Sequence, residues 1–419
     1  MNRPENLERE LTAWFIDTAA PRTPDYTDDI VRLTAGLAQR PRWTFPERWF
    51  PMSVITLARR TIRPVPWRTA GLLAVIALLI AAMLAVYIGS RPKAPPPFGP
   101  APNGLIAFTR SNDILTIDPN TGRTTTLVDG PTIDNYPLFS PDGTRIAFER
   151  DIGGGSQLYA IDAAGGVPIK LTEVEYKGFY GLVWSPDGKQ LAYINGALMI
   201  VAADGSGAHL ADTGASTGGF PMWRPPNGDD ILFSGTKDGV SGSLLVHRDG
   251  SGLRLMAASP SGGELAMWTP DGDRIVINRA EPASDGQTMY RVHVYTVDQQ
   301  GVTVDDEIVG PPLERGWSGH GLSPDGTRAL VSVRQSAGAD EWRVGVMSID
   351  GPSSGSIVET GPVLQGSGYG YTWAPDGTTI LLTYTDKGET WLLDANGGTA
   401  RLATWFDPNS QVSWQRGAS

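Results

Sequence analysis

From residue 104 onward, apolar residues come in short runs bounded by Gly, Pro, Asp or Ser. LIAF follows Gly104, RIAF spans 145–148, QLAYI spans 190–194 and TILLTY spans 379–384. Runs this short, rich in β-branched and aromatic residues and punctuated by turn formers, predict strands. An aromatic or apolar residue followed by a Pro-Asp-Gly-like turn precedes the strand runs six times. The copies are FSPDG (139–143), WSPDG (184–188), WRPPNG (223–228), WTPDG (268–272), LSPDG (322–326) and WAPDG (373–377). Pro presets φ, Asp tolerates the second central position, and Gly supplies the left-handed conformation that closes a hairpin with a bulge. The residue before the turn ends one strand and is placed between neighbouring sheets. A third strand then runs into Asp and Gly, as in LYAIDAAGG, LMIVAADGSG and LLVHRDGSG, and a short fourth follows, as in Ile169-Lys170-Leu171.

The steps between copies are 45, 39, 45, 54 and 51 residues. Each suits one four-stranded blade of a β-propeller, the two longest carrying insertions at Ala280 to Tyr290 and Arg334 to Trp342. The ends of the region are complementary. Pro102-Asn103-Gly104 opens a repeat that lacks its first strand, and QVSW (411–414) is a first strand without a repeat. The fold expected is therefore mainly β: a seven-bladed propeller over 104–416, closed by the C-terminal strand, with 417–419 as a tail. An open ring would leave two unpaired sheet edges.

The recurring Trp-Ser-Pro-Asp-Gly turns resemble those of the TolB-type propellers, relatives of the WD-repeat propellers. WRPPNG departs by one extra residue and LSPDG by lacking the aromatic. The resemblance covers about three quarters of the chain and implies a rigid, mostly non-catalytic scaffold for protein or ligand contact.

Ahead of the propeller, Thr69 to Ile88 is a run of twenty residues without a charge. At 1.5 Å per residue it matches a bilayer core of about 30 Å. Its five Leu, three Ile and two Val favour insertion by about 3–6 kcal/mol in all. Arg59, Arg60, Arg63 and Arg68 precede the run, and Arg91 and Lys93 follow it. That balance expects residues 1–68 on the cytoplasmic side, a single transmembrane helix at 69–88 contacting membrane lipid, a Pro-rich spacer at 89–103, and the propeller outside a bacterial cytoplasmic membrane. Within residues 1–50, Leu7, Leu11, Trp14 and Phe15 share one helical face, and Asp25 can cap a second short helix. These helices are expected to lie on the membrane or to bind a cytoplasmic protein partner. RPRWTFPERWFPM (40–52) interleaves Arg with aromatics, as headgroup-zone segments do.

The chain carries a net charge of −11, and beyond residue 93 the sum is −16. Nucleic-acid binding needs a basic footprint and is not expected. Without cysteine there is no disulfide, thiol catalysis or Cys-ligated metal.

Gly214-Ala215-Ser216-Thr217-Gly218 matches the nucleophile elbow of hydrolases, but that motif needs a strand before it and a helix after it. Here it leads into a first strand. His209, His247, His293 and His320 lack metal-ligand spacing. No catalytic residue, metal or cofactor is assigned. The connections into the first strands repeatedly carry aromatics, and in a propeller they gather around one mouth of the channel. The candidate binding residues are Tyr136, Phe179, Tyr180, Phe220, Trp317, His320, Tyr369 and Tyr371. The alternative is that they plug the channel.

Three functions follow. The first is a membrane-anchored, non-catalytic binding or scaffold module for protein or cell-envelope ligands. The second is a transmembrane signalling protein of anti-sigma-like layout with the propeller as sensor. The third is a hydrolase or lyase acting in the channel.

Overall fold

The computed structural model describes residues 67–89 and 97–417, apart from 174–179, 212–215, 260–265, 283–287, 299–302, 315–320, 336–339, 367–368 and 405–411. The chain divides into two units, 1–90 and 91–419, each taken by itself. In the first, Trp67–Gly89 forms a helix of 23 residues, α1. Its side chains are described for 71–83, all exposed, with Leu72, Leu73, Leu78 and Met83 among them. Among the described residues no helix is long and apolar enough to cross a membrane. The expected span at 69–88 thus rests on the sequence. The two short helices expected within 1–50 lie outside the described residues.

In the second unit the strands form seven antiparallel sheets, the expected seven blades. Six have four strands. In the remaining one three strands are paired, and Leu322 bridges Ala329 where the first strand would lie. The core is not one mass but seven apolar seams, each shared by two adjacent blades. Strand alternation produces this. In Arg145–Asp151, Ile146 and Phe148 face the seam with Ala107 and Ile114, while Ala147 faces the seam with Trp184 and Leu191.

The hairpin turns follow the sequence logic. Gly143, Gly188, Gly228, Gly272, Gly326 and Gly377 all have φ between +65° and +74°. The extra residue of WRPPNG widens its turn: Gly228 N–H donates to Arg224 O, whereas Gly143 N–H donates to Ser140 O. The residue before Pro closes the turn from inside. Ser140 Oγ donates to Asp142 and accepts from Arg145 N–H, and Ser185, Thr269 and Ser323 repeat this arrangement. Burial pushes the Asp142 carboxyl up, but hydrogen bonds from Ser140 and Thr144 outweigh it and hold it below the usual range; Asp187 and Asp325 behave alike. A carboxylate held low stabilises the fold at neutral pH, and that contribution disappears as acid protonates it.

Guanidinium groups join one blade to the next. Arg145 lies 5.2 Å from the centre of the Trp184 ring and donates to Gly188 O at 2.8 Å. Arg224 does the same with Trp268 and Gly272 O, and Arg328 with Trp373 and Gly377 O. Where LSPDG lacks an aromatic, Arg274 pairs with Asp350 instead.

The two ends of the propeller meet at the position of one of these turns. Val412–Arg416 pairs antiparallel with Asn103–Arg110, Ile106 opposite Trp414, and completes the expected blade. Trp414 occupies the place of the other turn aromatics, and the turn itself is cut. Gln415 bridges the gap. Its Oε1 accepts from Leu105 N–H, the role Ser140 plays for Arg145. Its Nε2 donates to Gly143 O, the role Arg145 plays for Gly188. Gly417 N–H donates to Pro102 O, and Asn103 exchanges two hydrogen bonds with Asp376 of the preceding blade. Replacing Gln415 with Ala leaves a partly buried N–H and C=O without these partners. The expected loss is about 1–3 kcal/mol in denaturant unfolding, against a negligible loss for the exposed turn residue Lys189→Ala.

Candidate functional site

Each first strand begins at the rim opposite the Pro-Asp-Gly turns. Three of them share a bulge there. Pairing shifts between Asn135 and Leu138, between Tyr180 and Val183, and between Gly219 and Met222. The same position in each bulge has a left-handed backbone: Tyr136 at φ +54°, Gly181 at +74° and Phe220 at +51°. Only Gly adopts this region freely, and holding an aromatic residue there costs about 1–2 kcal/mol. Bulges re-aim side chains, and such strain marks places where position matters more than stability. The residues are also neighbours. A Cβ on Gly181 would lie 2.6 Å from Pro221 Cδ and 2.7 Å from Phe220 Cα. Glycine at 181 therefore lets the Phe220 bulge of the next blade approach.

Tyr136 is 40% and Phe220 51% exposed, and each is followed by a proline. Ile133 and Ile152 extend the apolar surface on the blade of Tyr136, where Asp151 N–H donates to Ile133 O. Beneath them Arg150 grips the buried Asp134 carboxylate through Nε and Nη2 at 2.7 and 2.8 Å and lies 4.7 Å from the Tyr159 ring centre. One residue along, Glu149 is 8% exposed, and burial, with the nearby Asp151 charge, raises its carboxyl above the usual range despite a hydrogen bond to Ser156. The rim thus exposes aromatic and aliphatic side chains beside the Asp151 carboxylate, on a base stiffened by a bidentate ion pair.

The other expected residues divide. Tyr180 and Tyr369 open the strands Tyr180–Trp184 and Tyr369–Trp373. Tyr371 is 6% exposed and packs in the seam with Leu330, Trp342 and Leu364, so it is core rather than rim. Alternation accounts for this: two residues before Trp373, Tyr371 shares its seam-facing side. Phe179, Trp317 and His320 lie outside the described residues. The insertion expected at Ala280 to Tyr290 is largely strand. Glu281 pairs with Met289 and Pro282 with Thr288, so the hairpin simply extends. Likewise Arg334 pairs with Trp342. The residues missed by sequence reading were Gly181 and Ile133. The repeat Tyr-Pro-x-Phe (136–139) and Phe-Pro-x-Trp (220–223) was the available signal for the bulges.

Ser216 opens the strand Ser216–Trp223, not a helix, so the strand–turn–helix of a nucleophile elbow is not formed. His247 Nδ1 is 2.5 Å from Asp230 Oδ1, and His293 is buried between Glu281 and Asp306. Among the described residues no group of three or more His, Cys, Asp or Glu side chains is arranged to hold a metal ion.

Comparison with known proteins agrees with this architecture. Residues 92–205 match the family model described as the TolB beta propeller domain. Over the whole ring, the tricorn protease crystal structure matches with a TM-score of 0.50 at 14% identity, covering 77% of this chain and 36% of that one. TolB from Acinetobacter baumannii matches with a TM-score of 0.44 at 14% identity, covering 74% and 82%. In sequence, 82 residues are 34% identical to the uncharacterized peptidase YuxL of Bacillus subtilis (strain 168). That match covers 19% of this chain and 12% of the peptidase's length. Repeat and fold together make the chain a seven-bladed β-propeller, of which residues 92–205 match the TolB family model.

Two outcomes test the rim. Gly181→Ala is expected to cost about 1–3 kcal/mol, from left-handed backbone and overpacking together, and to shift the Phe220 ring resonances. Glu149→Gln is expected to raise stability at neutral pH. A carboxyl raised by burial opposes folding once ionised, so the gain is absent well below the ordinary Glu range, appears as pH rises through it, and is full above the folded value. Thermal melts at pH 3.5 and pH 8 compare the two.

Proposed function

We propose that this protein is a membrane-anchored, extracytoplasmic binding module whose recognition face is the bulged rim carrying Tyr136 and Phe220. The observation that carries the reading is the pair of exposed aromatics held in left-handed backbone at equivalent positions of two blades. Rigid aromatic anchors bind at low entropic cost, and a propeller supplies the rigidity. The partner is a protein or a cell-envelope component. The relatives include peptidases, but the aligned part of YuxL is 12% of its length, and Ser216 sits at the start of a strand. These two facts favour binding over catalysis.

The anchor is the uncharged run at 69–88, helical over Trp67–Gly89 and apolar on every side between 71 and 83. Such a helix is buried in protein or in lipid. The excess of arginine before the run supports a cytoplasmic side for residues 1–68. The Pro-rich residues after it lead to Ala101, whose N–H donates to Pro375 O at the turn end. The chain thus enters the propeller at the end opposite the proposed recognition rim.

Two measurements check this. A photo-crosslinking residue at position 220, in intact cells, is expected to capture a partner that the same probe at Lys189, on the turn face, does not. Capture at both positions alike, or at neither, contradicts the reading. Because the chain has no cysteine, single cysteines report topology directly. In spheroplasts an impermeant maleimide is expected to label Lys189→Cys without lysis and Ser53→Cys only after lysis. The reverse pattern removes the membrane assignment.

A further inference from the structure

Each blade ends, at the circumference of the ring, in an outer strand with one side unpaired. Such an edge offers a row of free N–H and C=O groups to any other strand, and proteins blunt it with short strands, charges, proline or bulges. Among the described residues, three of the seven outer strands are two residues long: Ile169–Lys170, His209–Leu210 and Arg401–Leu402. Three more carry charge. Arg254–Ala258 begins with an arginine, Thr303–Leu313 holds three acidic residues and two prolines, and Ile357–Gln365 holds Glu359 and Pro362. The seventh differs. Thr124–Val128, outermost in the blade that the C-terminal strand completes, reads TTTLV, without charge, glycine or proline. Thr124, Thr125 and Thr126 are all exposed, and on their other side they pair without interruption with Ile117, Thr116 and Leu115.

The sequence around this strand is complementary to itself. Counted outward from Thr126, Arg123 and Asp129 fall three residues away on either side, and Gly122 and Gly130 four. Two copies paired antiparallel about Thr126 therefore set Thr125 opposite Leu127, Thr124 opposite Val128, and each Arg123 opposite the Asp129 of the other copy. Opposite charges so placed stabilise an antiparallel pair, and β-branched residues suit it. Leu127 is the extra residue of a bulge, where pairing shifts between Ile114 and Leu115. The bulge follows the regular stretch Thr124–Thr126 and moves Asp129 by one position, within reach of a long side chain. Arg123 and Asp129 are both exposed, and neither charged group has an ionic partner among the described residues.

We propose that this edge is a self-association surface, on which two copies of the chain join by pairing Thr124–Val128 with its counterpart, Arg123 of each copy meeting Asp129 of the other. One charge of each sign, equally spaced about a central residue, is what a two-fold contact satisfies by construction. A purely basic or purely acidic partner strand satisfies one of the two and repels the other. The contact is short. A ribbon of five residues from each copy is smaller than a permanent interface, so the dimer is of the transient class. It engages neither Tyr136 nor Phe220, which lie on strands of other blades, and so stands whatever the rim binds.

The absence of native cysteine lets one introduced thiol report the contact. In the purified full chain, Thr126→Cys is expected to form an inter-chain disulfide under mild oxidation, since the residue faces its own copy. Leu402→Cys, 44% exposed on another outer strand, is expected to do so far more slowly. In the Thr126→Cys background, reversing either charge, Arg123→Asp or Asp129→Arg, is expected to slow disulfide formation about tenfold, because two attractive contacts become repulsive. Reversing both is expected to restore the rate, which a misfolded variant does not do. In cell lysate the oxidised adduct is expected to contain two copies of the chain. Disulfide formation no faster at 126 than at 402 overturns the proposal. So do single reversals without effect, a double reversal that stays slow, or an adduct with a different protein in place of the second copy.

Discussion

Everything in the propeller depends on pairing between its two ends. Sheets packed face to face around a ring give each blade two neighbours, and no blade can bury both faces until the last neighbour arrives. Here the final contact is made by five residues, Val412–Arg416, on the strand Asn103–Arg110. The location of the join is informative. It falls in the segment that recurs in every other blade, the Pro-Asp-Gly-like turn, so the closing strand enters a site whose geometry five other hairpins share and a sixth widens by one residue. Covalent continuity is replaced by side-chain and backbone hydrogen bonds from Gln415, Gly417 and Asn103. Each is worth about 1 kcal/mol, and together they do what the peptide chain does elsewhere.

The same economy explains why the blades can drift in sequence. The seam between two blades needs an apolar interior and a polar fastening at the turn end, but not one particular pair of residues. Arg145 and Arg328 supply the fastening from one position. Where that position is Gln190, Arg248 from the third-strand end covers Trp223 and donates to Gln190. Where it is Asp230, Arg224 covers Trp268 and pairs with Asp230. A guanidinium over a tryptophan persists while its origin moves. The turn end holds the ring, and the opposite rim carries bulges, aromatics in left-handed backbone and an extended hairpin.

The fold was legible because turn chemistry and strand alternation repeat, and repetition multiplies a weak local signal. Trp184, Trp223 and Trp373 lie between blades as their position before the turn implies, each donating its indole N–H to a carbonyl of the preceding blade. The split blade could be read from complementary half-repeats at the two ends. The rim was legible only in part. Aromatics at strand starts can be located, but whether they face outward depends on the bulge. Tyr136 and Phe220 are turned out by one, whereas Tyr371 stays in its seam. The fastening roles of Gln415 and Arg248 were not readable, since they depend on what the neighbouring blade lacks. His293 looked like an ordinary strand histidine, because its two carboxylates come from strands whose register the sequence does not state.

Native-state hydrogen exchange across the closing strand tests this account most directly. If ring closure is integral to the fold, the amides of 412–416 and their partners in Asn103–Arg110 exchange only with global unfolding. They would then show the same opening free energy as a central strand such as Arg145–Asp151. If residues 412–416 exchange freely while Arg145–Asp151 stays protected, the ring stands without its clasp, and the dependence argued here is wrong.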